Sequence, residues 1–174
     1  MKKAFAIWLT GLPSSGKTTL ARRLKAKISG MGYRVVILES DKLRRLLTPN
    51  PKYTEEEREY FYRSMAVIGK YLVDAGVCVI FDATANRRKY RDYARRIIKD
   101  FMEIYLNCPL KVCMERDVKG LYREALEGKI KTLPGLQAPY EEPLNPDVTV
   151  DTHRYTVRES TDIIMDKIIE RFLG

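Results

Sequence analysis

Residues 11–19 read GLPSSGKTT, and Gly11, Gly16, Lys17 and Thr18 fill every fixed position of the spacing G-x-x-x-x-G-K-[ST]. Each residue type answers a need of a bound triphosphate. The glycines let backbone N–H groups wrap phosphate oxygens, Lys17 reaches the β and γ phosphates, and the Thr18 hydroxyl ligates Mg²⁺. The loop as a whole, with Leu12, Pro13, Ser14, Ser15 and Thr19 between and after those positions, is assigned to the triphosphate. Its surroundings fit, because it lies between the apolar run AFAIWLT and a helical pattern that starts near Lys17.

Outward from the loop, near-continuous apolar runs recur as AFAIWL, VVIL, VCVIF and MEIYL, and a weaker fifth run spans Val148 to Val150. Helical patterns separate them. Runs of this kind are strands buried on both faces, which predicts an α/β fold with a parallel sheet and helices on either side. Leu20, Leu24 and Ile28 define one helix, closed by Gly30 and Gly32. Thr54 and Glu57 form a capping-box pattern before a second, with Phe61, Met65, Ile68 and Leu72 at core-facing spacing; Thr156 and Glu159 repeat it before a last helix that buries Ile164, Ile168 and Phe172.

The 174 residues, 45% hydrophobic and 32% charged, predict one domain spanning 1–174. No run of 18 apolar residues exists, and the start MKKAFAIWLTGLP reads as a strand entering a loop, so no membrane partner and a cytoplasmic location are expected. Cys78, Cys108 and Cys113 contain no CxxC pair and read as structural thiols. His153 has no partner at metal-ligand spacing. The net charge of +9 suits polyanions, yet the basic residues are scattered among acidic ones without an RNA-binding signature, so nucleic acid is not an expected partner. Two anionic substrates would use the same charge.

Between residues 117 and 146 the periodicity fails under Gly120, Gly128, Pro134, Gly135, Pro139, Pro143 and Pro146, a texture that predicts a lid. Two acidic sites follow predicted strands: Glu39-Ser40-Asp41 after VVIL, and Asp82 after VCVIF. Strand C-terminal ends are where ligands bind in open parallel sheets. Asp41 is assigned to the acceptor side and Asp82, with Thr18, to the metal; the reverse assignment stays open, as do helix-cap or turn roles for both. Arg44 lies nearly one helical turn beyond Asp41, and Tyr53 precedes the helix that carries Arg58. Arginine forks fit phosphate or sulfate oxygens, and the ring can stack on a base.

These residues resemble the adenylylsulfate kinase (APS kinase) family, from the phosphate loop to Asp151. The most specific stretch is ERDVKGLYREALEGKIKTLPGLQAPYEEPLNPDV, residues 115–148, which is similar to that family's lid. ESDKLR is similar to its DGDxxR, YTEEER to its GFSxxDR, and LVDAG with RDYAR completes the match. The resemblance implies a P-loop NTPase kinase fold with a five-stranded sheet in the order 2-3-1-4-5. It also implies transfer of the γ phosphate of ATP, with Mg²⁺, to the 3′-hydroxyl of adenosine 5′-phosphosulfate, commonly by a homodimer. Lys17 and Asp41 would be catalytic and Arg116 would join the ATP site. Asp41, Arg44, Tyr53, Arg58, Thr84, Lys119 and Leu133 would form the acceptor site, Arg58 on the phosphosulfate and Tyr53 in place of a stacking Phe.

Three positions and one segment depart from the family. Glu39 replaces the first Asp of DGD, Phe61 an Asn, and Leu133 the lid Phe of the adenine clamp. ATANRR, residues 83–88, replaces FISPYR, so Ala85 stands where a serine was a candidate phosphorylated intermediate, and only direct in-line transfer is supported. FDATANRR is instead similar to a segment of P-loop kinases acting on nucleic-acid ends, seryl-tRNA or small metabolites. Another hydroxyl acceptor is therefore a second reading, and an NTP-hydrolysing binding switch a third.

Overall fold

The computed structural model describes residues 2–174. Five strands, β1 (Ala6–Thr10), β2 (Val35–Glu39), β3 (Cys78–Asp82), β4 (Phe101–Asn107) and β5 (Val148–Asp151), form one sheet in the order β2-β3-β1-β4-β5. Every pairing is parallel. Both the apolar runs and the predicted strand order are borne out. Every side chain of β1 and β3 is buried, the signature of strands covered on both faces.

The covers are helical. α1 (Lys17–Gly30) and α7 (Val157–Ile168) pack Leu20, Leu24, Ile28, Ile164 and Ile168 against Ile7, Leu9, Ile80 and Ile104 on one face. α3 (Glu55–Asp74) and α4 (Arg88–Ile97) pack Phe61, Met65, Tyr90 and Ala94 against Trp8, Val79, Phe81 and Phe101 on the other. α2 (Ser40–Leu47) follows β2; α5 (Leu110–Arg116) and α6 (Leu121–Leu126) follow β4. A π-helical turn, Ile169–Leu173, ends the chain, and its Phe172 stacks on Phe5 with centroids 4.5 Å apart. Phe172 was expected inside the last helix; it lies beyond α7, half-buried.

The two capping patterns differ in outcome. Thr156 and Glu159 form a complete box. Thr54 accepts from the Glu57 N–H, but the Glu57 carboxylate turns back to the N–H groups of Lys52 (3.1 Å) and Tyr53 (2.6 Å). That half-box folds the chain tightly before α3, with Tyr53 at φ +56°. Segment 117–146 has a small core of its own, in which Tyr122, Ala125 and Leu133 meet Cys108 and Cys113. The three cysteines are buried free thiols. Gln137, the chain's one glutamine, ties this segment: its Oε1 accepts from Leu133 N (3.1 Å) and its Nε2 donates to Ile130 O (2.8 Å).

Candidate active site

Parallel pairing brings the C-terminal ends of β1, β2 and β3 to one edge, where Glu39 registers with Asp82 and Asp82 with Leu9. The phosphate loop leaves β1 at this edge. Gly16 turns the chain into α1 at φ +104°, a left-handed conformation that side chains resist. Gly11 is needed for a different reason: a Cβ there would lie 2.7 Å from both Leu106 O and Ser15 Oγ.

Lys17 is buried, its Nζ donating to the carbonyls of Gly11 and Leu12, both at 2.9 Å. Burial lowers its pKa to about 8; Asp82 and Asp41 oppose that shift, while Lys119 adds to it. Asp82 accepts from Thr18 Oγ1 at 2.7 Å. Burial raises the Asp82 pKa against the pull of Lys17 and the Thr18 hydroxyl. No group of three or more His, Cys, Asp and Glu among the described residues can hold a metal. The Thr18–Asp82 pair nevertheless fits Mg²⁺, which takes hard oxygen ligands, few of them from protein and the rest from phosphates and water.

The residues assigned to the acceptor side follow β2 and β3. The Arg44 guanidinium sits 3.9 Å from the centroid of Phe61, 5.0 Å from Tyr53 and 5.6 Å from Tyr62, and its buried Nη1 has no hydrogen-bond partner. Phe61, which departs from the family, is thus the floor under Arg44. Arg58 donates to Tyr53 O (3.2 Å), Asn86 Oδ1 (3.1 Å) and Thr132 O (2.7 Å). Lys119 pairs with Asp41 at 2.5 Å across the cavity mouth.

One cavity of 580 Å³ joins both halves. Pro13 to Thr19, Asp41, Arg44, Tyr53, Arg58, Asp82, Thr84, Arg116, Lys119 and Leu133 all line it. Gly11 and Leu12 do not: Gly11 backs onto β4, and Leu12 packs under the 117–146 core. Leu133 is 5% exposed and gives most of its surface to that core. The same segment grips the loop, with Val118 N donating to Ser14 Oγ and Tyr122 Oη to Pro13 O.

Sequence reasoning missed the lobe at the start of α7. Thr152, Tyr155, Thr156 and Ser160 line it; Arg116 donates to Thr152 O (2.7 Å), and Thr152 Oγ1 donates to Ser15 O (2.7 Å). Ser160 is 1% exposed with an unpartnered Oγ. The available signal was Thr156, read only as a helix cap although it follows the last strand. Asn86 was noticed as a departure in ATANRR but given no role; it is the buried partner of Arg58.

A phosphate-loop sequence after the central strand of a parallel five-stranded sheet, a carboxylate on the adjacent strand end and one cavity that runs from the loop to segment 117–146 define a P-loop kinase fold. Residues 3–151 match the sequence model of the family described as adenylylsulphate kinase, and the chain belongs to that family. It is 47% identical over 151 residues to a probable adenylyl-sulfate kinase of Archaeoglobus fulgidus, covering 87% of this chain and 97% of that one. It is 42% identical over 168 residues to a probable adenylyl-sulfate kinase of Pyrococcus abyssi, covering 97% of each. Its fold is similar to the APS kinase CysC of Mycobacterium tuberculosis in complex with AMPPNP and APS, with a TM-score of 0.90 at 29% identity, over 97% of this chain and 99% of that one.

Proposed function

We propose that this protein transfers the γ phosphate of ATP to the 3′-hydroxyl of adenosine 5′-phosphosulfate, giving 3′-phosphoadenylyl sulfate. The observation that carries the reading is a pair of arginines, Arg44 and Arg58, that share one cavity with the phosphate loop, Arg58 held there by segment 117–146. A hydrolytic switch needs no such pair. The triphosphate is cradled by the N–H groups at the start of α1, with Lys17 beside the transferring phosphoryl group. The donor base takes the lobe of Arg116, Thr152 and Ser160, because the opposite end of the cavity is occupied by the acceptor. The acceptor's phosphosulfate lies against Arg44 and Arg58, its base between Tyr53 and Leu133, with Thr84 below.

Asp41 orients the 3′-hydroxyl and accepts its proton, and Lys119 fixes Asp41 from the lid, residues 117–146 of a single catalytic domain spanning 1–174. Thr18 and Asp82 would hold Mg²⁺, which supplies neutralising charge to the phosphates. Transfer is direct, since Ala85 offers no nucleophile. Closure of 117–146 excludes water and so favours transfer over hydrolysis. Three free, buried cysteines suit a reducing compartment, and the cytoplasm is the proposed setting. A homodimer is the proposed assembly, which sedimentation checks.

The test is a transfer assay with ATP and Mg²⁺ across adenylylsulfate, oligonucleotide ends, seryl-tRNA and small alcohols. Adenylylsulfate should be phosphorylated, and Arg58→Ala should lower kcat/KM for it about 30-fold or more while the KM for ATP moves by less than about twofold. Phosphate appearing on another acceptor, or ATP turnover indifferent to adenylylsulfate, would overturn the reading.

A further inference from the structure

Arg58 reaches the acceptor cavity from α3, an element whose other face is committed to the sheet. A long side chain in this position needs lateral contacts to keep one rotamer, since an unheld arginine carries large rotamer entropy. Two of its three hydrogen bonds go to backbone carbonyls, Tyr53 O and Thr132 O. The third goes to Oδ1 of Asn86, a residue 4% exposed to solvent.

Both ends of the Asn86 amide and its backbone carbonyl are engaged. Its Nδ2 donates to Pro139 O at 2.9 Å, and its backbone carbonyl accepts from Glu141 N at 2.8 Å. The turn that delivers it is unusual: Ala85, fully buried, takes φ +44°, a region that a residue with a Cβ enters only when its surroundings enforce it. Arg58 therefore meets the 131–141 segment twice, directly at Thr132 and through Asn86 at Pro139.

We infer that Asn86 is a positioning residue, acting through Arg58, that couples the acceptor site to closure of the segment over it. This rests on the acceptor role proposed above for Arg58. An amide suits the task because it accepts from a guanidinium on one side and donates to a carbonyl on the other; proline and aliphatic side chains do neither, and a carboxylate only accepts. A merely structural asparagine would stabilise the turn without selecting between the two substrates.

The experiment is a double-mutant cycle of Asn86→Ala and Arg58→Ala, with KM measured separately for adenylylsulfate and ATP. Asn86→Ala should raise the KM for adenylylsulfate about tenfold and the KM for ATP less than about twofold. In the Arg58→Ala background the same change should add less than about twofold, because the partner it acts through is gone. An unchanged KM for adenylylsulfate, an equal rise for both substrates, or the full tenfold effect without Arg58 overturns the inference. Should Asn86→Ala not fold, Asn86→Ser carries the same cycle with the same expected direction. If the wild-type protein does not phosphorylate adenylylsulfate, the acceptor reading fails separately. Amide exchange then decides the coupling: either single substitution should speed exchange across residues 132–141, the double by less than the product of the two, and unchanged exchange or a full product overturns it.

Discussion

Lys17 is held by backbone carbonyls, and the carboxylates nearby only partly offset the cost of burying its charge. With its pKa near 8 rather than 10.5, it penalises folding at every pH below about 8, where it is charged in both states. The penalty shrinks between about 8 and 10.5 and is absent above. A triphosphate beside Lys17 reverses the balance and draws its pKa upward. ATP binding near pH 8 should therefore take up protons, and ATP affinity should weaken as pH rises through about 8. Calorimetry at pH 8 in two buffers of different ionisation heat checks this; identical heats would mean that Lys17 is already fully charged. Lys17 was legible in the sequence as the lysine of the phosphate-loop motif, but its depressed pKa was not, since that depends on how deeply α1 is seated.

At the scale of elements, Gly69 decides how closely α3 lies on β3. A Cβ at that position would come within 2.2 Å of Phe81 Cζ, and the Phe81 ring cannot swing away because it stacks on Trp8 at 4.5 Å. Glycine in a helix interior ordinarily costs about 1 kcal/mol relative to alanine. Here the overlap reverses the sign: Gly69→Ala should destabilise by about 1–3 kcal/mol in chemical denaturation, and Phe81→Leu in the same chain should recover part of the loss. The five strands were legible because burial on both faces leaves unbroken apolar runs. The buried face of α4 was less legible than the helix itself, since Arg91 takes a position on it, 1% exposed, and breaks the apolar period. The pattern Thr54 to Glu57 announced α3 correctly, yet its second half went to the preceding turn instead of the cap.

Across the molecule, the sheet is tied to segment 117–146 through one buried polar network. Arg91 pairs with Glu103 of β4 at 3.2 Å, donates to Thr10 at the end of β1 at 2.8 Å, and reaches Glu141 O at 2.5 Å. Tyr140 joins it through Thr10 at 3.0 Å. Removing one member of such a pair strands the other charge away from water. Glu103→Ala should thus cost about 3–5 kcal/mol and lower Tm by about 6–20 °C, and calorimetry on the intact chain measures it. A change below about 1 kcal/mol would mean that water replaces the carboxylate.

The sequence by itself determined the strands, the phosphate loop and the family, because these rest on local spacing and on apolar runs that need no partner to be recognised. It also proposed Asp41, Arg44 and Arg58 for the acceptor side, and all three line the cavity. Only the tertiary structure decided what holds them: Phe61 beneath Arg44, Asn86 and Thr132 on Arg58, Lys119 on Asp41. It alone brought Thr152 and Ser160 to the cavity, Thr152 against the phosphate loop. The physical reason is sequence distance, for Arg58 and Thr132 are 74 positions apart, and no local periodicity encodes a contact that long-range packing creates.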